Sequence, residues 1–123
     1  MPGFQELDNI VALADQMQSQ EEGPVVLMNV FTVDDSDAED LVAAWKHDAD
    51  FMKAQPGYIS TQLHRGIAGS STFVNYAVWE SVASFRDAFA NPEFQKRISA
   101  YPESAVSRPH LLKKLAVPGH CVA

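Results

Sequence analysis

The stretch that decides the fold is YISTQLHRGIAGSSTFVNYAVWESVASFRDAFA, residues 58–90. Tyr58 to Arg65 alternates and predicts a strand, and the two glycines between Gly66 and Ser70 close a hairpin. A second strand runs from about Ser71 to Trp79. Ser81 then offers a capping oxygen for a helix through about Ala90 that carries Phe85, Ala88 and Phe89 inward. Asn91 and Pro92 restart a short helix, because proline suits the first helical position.

Upstream, Val25 to Val33 (VVLMNVFTV) is rich in β-branched and apolar residues and predicts a strand opened by Pro24. Asp34, Asp35 and Ser36 follow, with Glu39 three residues after Ser36. This capping-box spacing predicts a helix to about Gln55, ended by Pro56-Gly57. Downstream, Tyr101 to Pro109 reads as irregular and His110 to Val117 as the last strand. At the front, Phe4, Leu7, Ile10, Val11, Ala14 and Met17 recur at three- and four-residue steps and predict an amphipathic helix over 4–18, expected to pack at the periphery. The expected organisation is an N-terminal helix and linker (1–23), a folded domain (24–118) and a C-terminal tail (119–123). The order is a helix and then βαββαβ, a ferredoxin-like α+β arrangement with helices on one sheet face. In so small a chain the other face is expected to be covered by a second copy, giving a homodimeric α/β barrel.

The 123 residues carry a net charge of −7 with a pI near 4.8, which opposes nucleic acid and anionic membrane surfaces as partners. No apolar run approaches the ~20 residues of a spanning helix, and the start lacks a basic, apolar leader, so a cytoplasmic protein is expected. The lone Cys121 forms no internal disulfide. Dinucleotide, P-loop, zincin and α/β-hydrolase motifs are absent. His47 and Asp50 share a helix face, but two ligands do not make a metal site; no metal is expected.

What remains is a polar set in apolar surroundings. Asn29 interrupts one strand and Asn75 another; alternation places Asn75 with Phe73, Ala77 and Trp79, and Asn29 with Leu27 and Phe31. Each amide either bonds neighbouring backbone or faces a cavity, and the Trp79 N–H is either satisfied in the core or free for a bound molecule. On the following helix Leu41, Trp45, Met52 and Gln55 form one stripe with Phe51 at its edge and Asp48 in its middle. Asp48 either reaches solvent by a small rotation or is a buried carboxylate with a raised pKa and a base's chemistry.

The stretches MNVFTV from Met28, QPGY from Gln55, FVNYAVWES from Phe73 and FRDAFANPEF from Phe85 resemble the antibiotic biosynthesis monooxygenase family. Within it they are most like the cofactor-independent anthrone oxygenases of aromatic polyketide pathways (actinorhodin and nogalamycin type). The resemblance implies a dimeric ferredoxin-like enzyme that oxidises an aromatic anthrone or phenol to a quinone with O2, without flavin, haem or metal. It assigns the polar catalytic groups to Asn29, Asn75 and Trp79 and a pocket wall to Phe51. Asp48 joins them as the base read from the residues. Phe31, Trp45 and Met52 suit a flat aromatic substrate, and Arg97 stands nearest to a substrate-side arginine of some members. Where some members carry a tyrosine six residues after the tryptophan, this chain has Phe85. The haem-degrading branch is disfavoured: its histidine four residues after the last-helix phenylalanine is Ile98 here, and its tryptophan is Ala88. A cyclase or isomerase, or a module that binds a hydrophobic small molecule, are the alternatives on the same scaffold.

Overall fold

A computed structural model describes residues 2–123. The elements are β1 (Gly3–Phe4), α1 (Leu13–Gln16), β2 (Val25–Thr32), a 3-10 turn (Asp35–Asp37), α2 (Ala38–Met52), β3 (Tyr58–Arg65), β4 (Thr72–Trp79), α3 (Val82–Ala90), α4 (Pro92–Ile98) and β5 (Val106–Leu112). The five strands form one sheet in the order β1-β5-β2-β4-β3. All pairs are antiparallel except β1 with β5. Apart from β1 and α1, and with α3 and α4 as one broken helix, this is the ferredoxin-like βαββαβ core.

The central hairpin and its helix follow local chemistry. The Ser81 hydroxyl accepts the Ser84 N–H at 3.0 Å, and the Asn91 side chain accepts the Glu93 N–H at 2.9 Å with Pro92 opening α4. The capping box does not form. A 3-10 turn precedes α2, whose cap residue Asp37 makes no side-chain cap bond. A distant residue braces the segment ahead of the helix: Ser104 Oγ donates to Asp37 Oδ2 at 2.7 Å and accepts the Asp34 N–H at 3.1 Å. The helix stops at Met52, three residues before Gln55, whose amide donates to the Phe51 carbonyl at 3.1 Å.

The expected helix over 4–18 is mostly absent, and only Leu13–Gln16 is helical. Asp8 Oδ1 accepts the N–H groups of Ile10 (2.7 Å) and Val11 (3.3 Å), a local turn that competes with helix formation. Phe4, Leu7, Ile10 and Val11 stay exposed, so no buried stripe stabilises a helix. The segment adds a strand to the sheet edge instead, through Gly3 N–H to Ala105 O (2.7 Å) and Gln5 N–H to Ser107 O (2.9 Å).

The last strand also differs from expectation: it spans 106–112, not 110–117, and it contains Pro109. The bonds from Gly3 and Gln5 show that the odd-numbered residues turn their backbone polar groups to the outer edge. Pro109 therefore lacks its N–H on the side away from β2 and costs the ladder nothing. At Leu111 the Gln16 amide takes the place of a strand, accepting the Leu111 N–H and donating to its carbonyl, both at 2.9 Å. The edge is closed by β1, then by a proline, then by one glutamine.

Gly57 occupies the tightest turn. Its φ is +86°, and a Cβ there would lie 2.2 Å from Ser84 Oγ. Gly23 has a similar φ of +83° with nothing near its Cβ direction. Gly57→Ala should therefore lower stability by about 2 kcal/mol or more, a Tm loss of roughly 8 °C, while Gly23→Ala loses about half of that. Thermal unfolding of the two variants checks the separation of strain from clash.

Candidate active site

Along the helix-facing side of β2 and β4 the register reads Leu27 opposite Ala77, Asn29 opposite Asn75, Phe31 opposite Phe73. Two buried clusters lie on either side of the amide pair. One gathers Leu27, Ala77, Trp79 and Phe85; the other gathers Phe31, Phe73, Leu41 and Tyr101. Between them is a cavity of about 300 Å³. Its sheet wall crosses all five strands: Phe4 from β1, Ser107 and Pro109 from β5, Asn29 and Phe31 from β2, Asn75, Ala77 and Trp79 from β4, and Tyr58 and Thr61 from β3. Its roof comes from Trp45, Asp48 and Met52 of α2, Phe85 and Phe89 of α3, and Phe94 and Ile98 of α4, with Tyr101 beyond.

Directly opposed residues in such a ladder have Cα atoms about 4.5–5.5 Å apart, so the two amides stand side by side. Each has its carbonyl oxygen engaged. Asn29 Oδ1 accepts the Arg108 N–H at 3.0 Å, which fixes that amide's orientation, and Asn75 Oδ1 accepts the Thr61 hydroxyl at 2.6 Å. Both Nδ2 groups then remain as donors beside the cavity. The local bonding foreseen as the alternative is thus present, and it orients the amides.

Trp79 is 1% exposed, yet its Nε1–H has no hydrogen-bond partner. The ring is fixed edge-on between Tyr58 (centroids 5.7 Å) and Phe85 (5.9 Å). A buried donor left unpaired costs about 1–3 kcal/mol, and this one belongs to a ring that lines the cavity.

Asp48 is buried, at 7% exposure, and its Oδ1 is also unpartnered. Burial pushes its carboxyl up to about 6; a hydrogen bond with Tyr101 and the charges of Arg97 and His47 pull the other way. The Tyr101 hydroxyl is driven well above the usual phenol range by burial, by the Asp48 charge and by the bond to it. Its ring lies flat on Phe31, with centroids 5.6 Å apart and planes at 15°.

Of the residues expected at the site, Asn29, Asn75, Trp79, Asp48, Phe31, Trp45 and Met52 line the cavity, whereas Phe51 and Arg97 do not. Phe51 stacks at 6.5 Å on the outer side of Phe94, which does line it. Arg97 lies over the Phe51 ring at 5.5 Å and donates to the His47 carbonyl at 2.6 Å, tying α4 to α2 one residue before Asp48. Thr61, Tyr58 and Tyr101 were not foreseen. A bulge between Tyr58 and Ser60 breaks the alternation of β3 and turns both Tyr58 and Thr61 inward. The shared phase of Thr61 and Leu63 was the available signal for Thr61; Tyr101 lies in a loop, where no periodicity exists. No group of three or more His, Cys, Asp or Glu fit to hold a metal occurs among the described residues.

The antibiotic biosynthesis monooxygenase family matches residues 24–99. Deoxynogalonate monooxygenase from Streptomyces nogalater is 34% identical over 76 residues; the match spans 62% of this chain and 64% of that protein. Among solved structures, SnoaB, a cofactor-independent oxygenase from Streptomyces nogalater, superposes with a TM-score of 0.72 at 26% identity, over 80% of this chain and 99% of its own. A protein from Shewanella loihica PV-4 superposes at 0.68 with 31% identity, over 79% and 99%. With its ferredoxin-like sheet and a family match over most of its length, the chain belongs to the antibiotic biosynthesis monooxygenase family.

Proposed function

We propose that this protein is a cofactor-independent monooxygenase that oxidises an aromatic polyketide anthrone or phenol to a quinone with O2. The observation that carries this reading is the row of neutral donors (Asn29 Nδ2, Asn75 Nδ2, Trp79 Nε1) on the wall of an otherwise aromatic and aliphatic cavity. A flat polycycle fits between Phe31, Trp45 and Met52. Its carbonyl, placed against the amides, gains negative charge as the ring C–H is deprotonated, and preorganised neutral donors stabilise that charge most in a dry site.

The anthrone enolate is itself the reductant, so the protein supplies orientation and electrostatics. Asp48 takes one proton from the methylene carbon. The carbanion gives its electrons to O2 and forms a C–O bond, and the peroxide so made takes a proton. Loss of the second C–H with cleavage of the O–O bond leaves a carbonyl and water. Both methylene protons and one atom of O2 leave as water; the other oxygen stays in the quinone. The partners we assign are the aromatic substrate and a second copy of the chain, covering the half-buried Met28, Val30, Val74, Tyr76 and Val78 on the sheet face away from the helices.

Oxygen uptake with a simple anthrone such as dithranol, followed with quinone absorbance, tests the reading. Metal-stripped protein should consume O2 and form quinone in equal amounts above autoxidation. Asn75→Ala should lose about 10²-fold or more in kcat, and Trp79→Phe at least 10-fold. No rate above the blank would transfer the cavity to an isomerase or a binding role.

Asp48 gives a second test. Its folded pKa lies above its unfolded one, so the native state binds the extra proton between about pH 4 and 6. The contribution of Asp48 to stability is therefore fully present below about pH 4 and is lost as the pH rises through about 6. Asp48→Asn should gain up to about 3 kcal/mol at pH 7.5 and nothing at pH 4, while losing turnover. In the wild type kcat/KM should fall below about pH 6; Tyr101→Phe, which removes a bond to the ionised form, should move that limb to higher pH. An Asp48→Asn variant as active as wild type at every pH would remove Asp48 from the mechanism.

A further inference from the structure

The cavity runs across the sheet rather than along a strand, so its two ends are the outermost strands, β3 and β1. The chemistry assigned to Asn29, Asn75 and Trp79 sits on the inner strands and next to β3. At the other end the wall is Pro2, Gly3 and Phe4. That end wall lies outside the family match, which begins at residue 24. The solved relatives are covered over 99% of their own length while accounting for only 79–80% of this chain.

We infer that the N-terminal segment is a substrate-selecting wall, with Phe4 setting how far a flat polycycle extends past the amide pair toward β5. The inference rests on the proposed oxidation for its biological substrate, but not for its geometry. The segment is held at several points. Gly3 and Gln5 bond the outer edge of β5 at Ala105 and Ser107, and Glu6 Oε1 accepts the Leu13 N–H at 2.8 Å. Gln16 holds Leu111 and also meets His110 Nε2 at 3.1 Å. Gly3 admits little else: an added Cβ would meet Val106 Cγ2 at 3.3 Å. Phe4, in contrast, is 54% exposed while lining the cavity, so its side chain sits at the rim where its size alters the opening and not the core.

The test uses the full chain and two probes, anthraquinone with three fused rings and naphthacenequinone with four. The protein's two tryptophans, Trp45 and Trp79, both line the cavity, so quinone binding is read as quenching of intrinsic fluorescence without any turnover. Phe4→Ala should tighten the four-ring Kd by about tenfold and shift the three-ring Kd by less than about twofold; Phe4→Trp should weaken the four-ring probe by a similar factor. Both Kd values unchanged in both variants, or changed equally for the two probes, would overturn the inference. Oxygen uptake on matched three- and four-ring anthrones separates the two claims. Altered binding without uptake in any variant would reject the oxidation and keep the wall. Uptake with unaltered size preference would keep the oxidation and reject the wall.

Discussion

Everything at the centre of this fold depends on two asparagines being paired across β2 and β4. Leu27 with Ala77 on one side and Phe31 with Phe73 on the other would make one continuous core if the middle row were apolar. An amide there cannot be packed shut against hydrocarbon without leaving donors unpaired, at a cost of about 1–3 kcal/mol each. The core therefore divides into two clusters, and the space between them is the cavity. The Arg108 N–H and the Thr61 hydroxyl hold the amide oxygens, so the polar row is rigid before anything binds. Donors fixed in advance spend no reorganisation energy when charge develops on a bound molecule.

The ionisable groups follow the same division of labour. Asp48 lines the cavity with one oxygen unpartnered, whereas Arg97, whose charge acts on it, lies over the Phe51 ring and does not line the cavity. A guanidinium inside the cavity would hold Asp48 fully ionised and weaken it as a base. Burial outweighs the Tyr101 bond and the more distant charges, and the Asp48 carboxyl is pushed up to about 6. Burial of the ionised carboxylate opposes folding at neutral pH.

What could be read from the sequence was what periodicity encodes. Strand parity put Asn75, Ala77 and Trp79 on one face, and helical spacing put Asp48 amid Trp45 and Met52; both are local rules that hold inside regular elements. The ferredoxin-like order was legible because the middle hairpin and the caps at Ser81 and Asn91 agree with the apolar pattern. Reading failed where distant parts of the chain decide. The expected capping box gave way to a 3-10 turn braced by Ser104, an edge strand replaced the N-terminal helix, and β2 drew Pro109 into a strand because its missing N–H faces outward. Tyr101 escaped for the same reason: nothing in its own neighbours says that a loop residue will lie on Phe31 and reach Asp48.

The cavity thus joins parts of unequal rigidity. Its polar row stands on β2 and β4, strands flanked on both sides, where a displaced side chain would break ladder bonds and packing together. Its far end stands on β1, two residues long and held to a single neighbour. No hydrogen bond among the described residues joins the segment directly to Asn29, Asn75 or Trp79. Under the proposed function, the edge strand is the part whose change alters the admitted substrate while Asn29, Asn75 and Trp79 stay in place. The amide pair belongs to the ferredoxin-like core, and the far wall of the cavity belongs to a strand added at its edge.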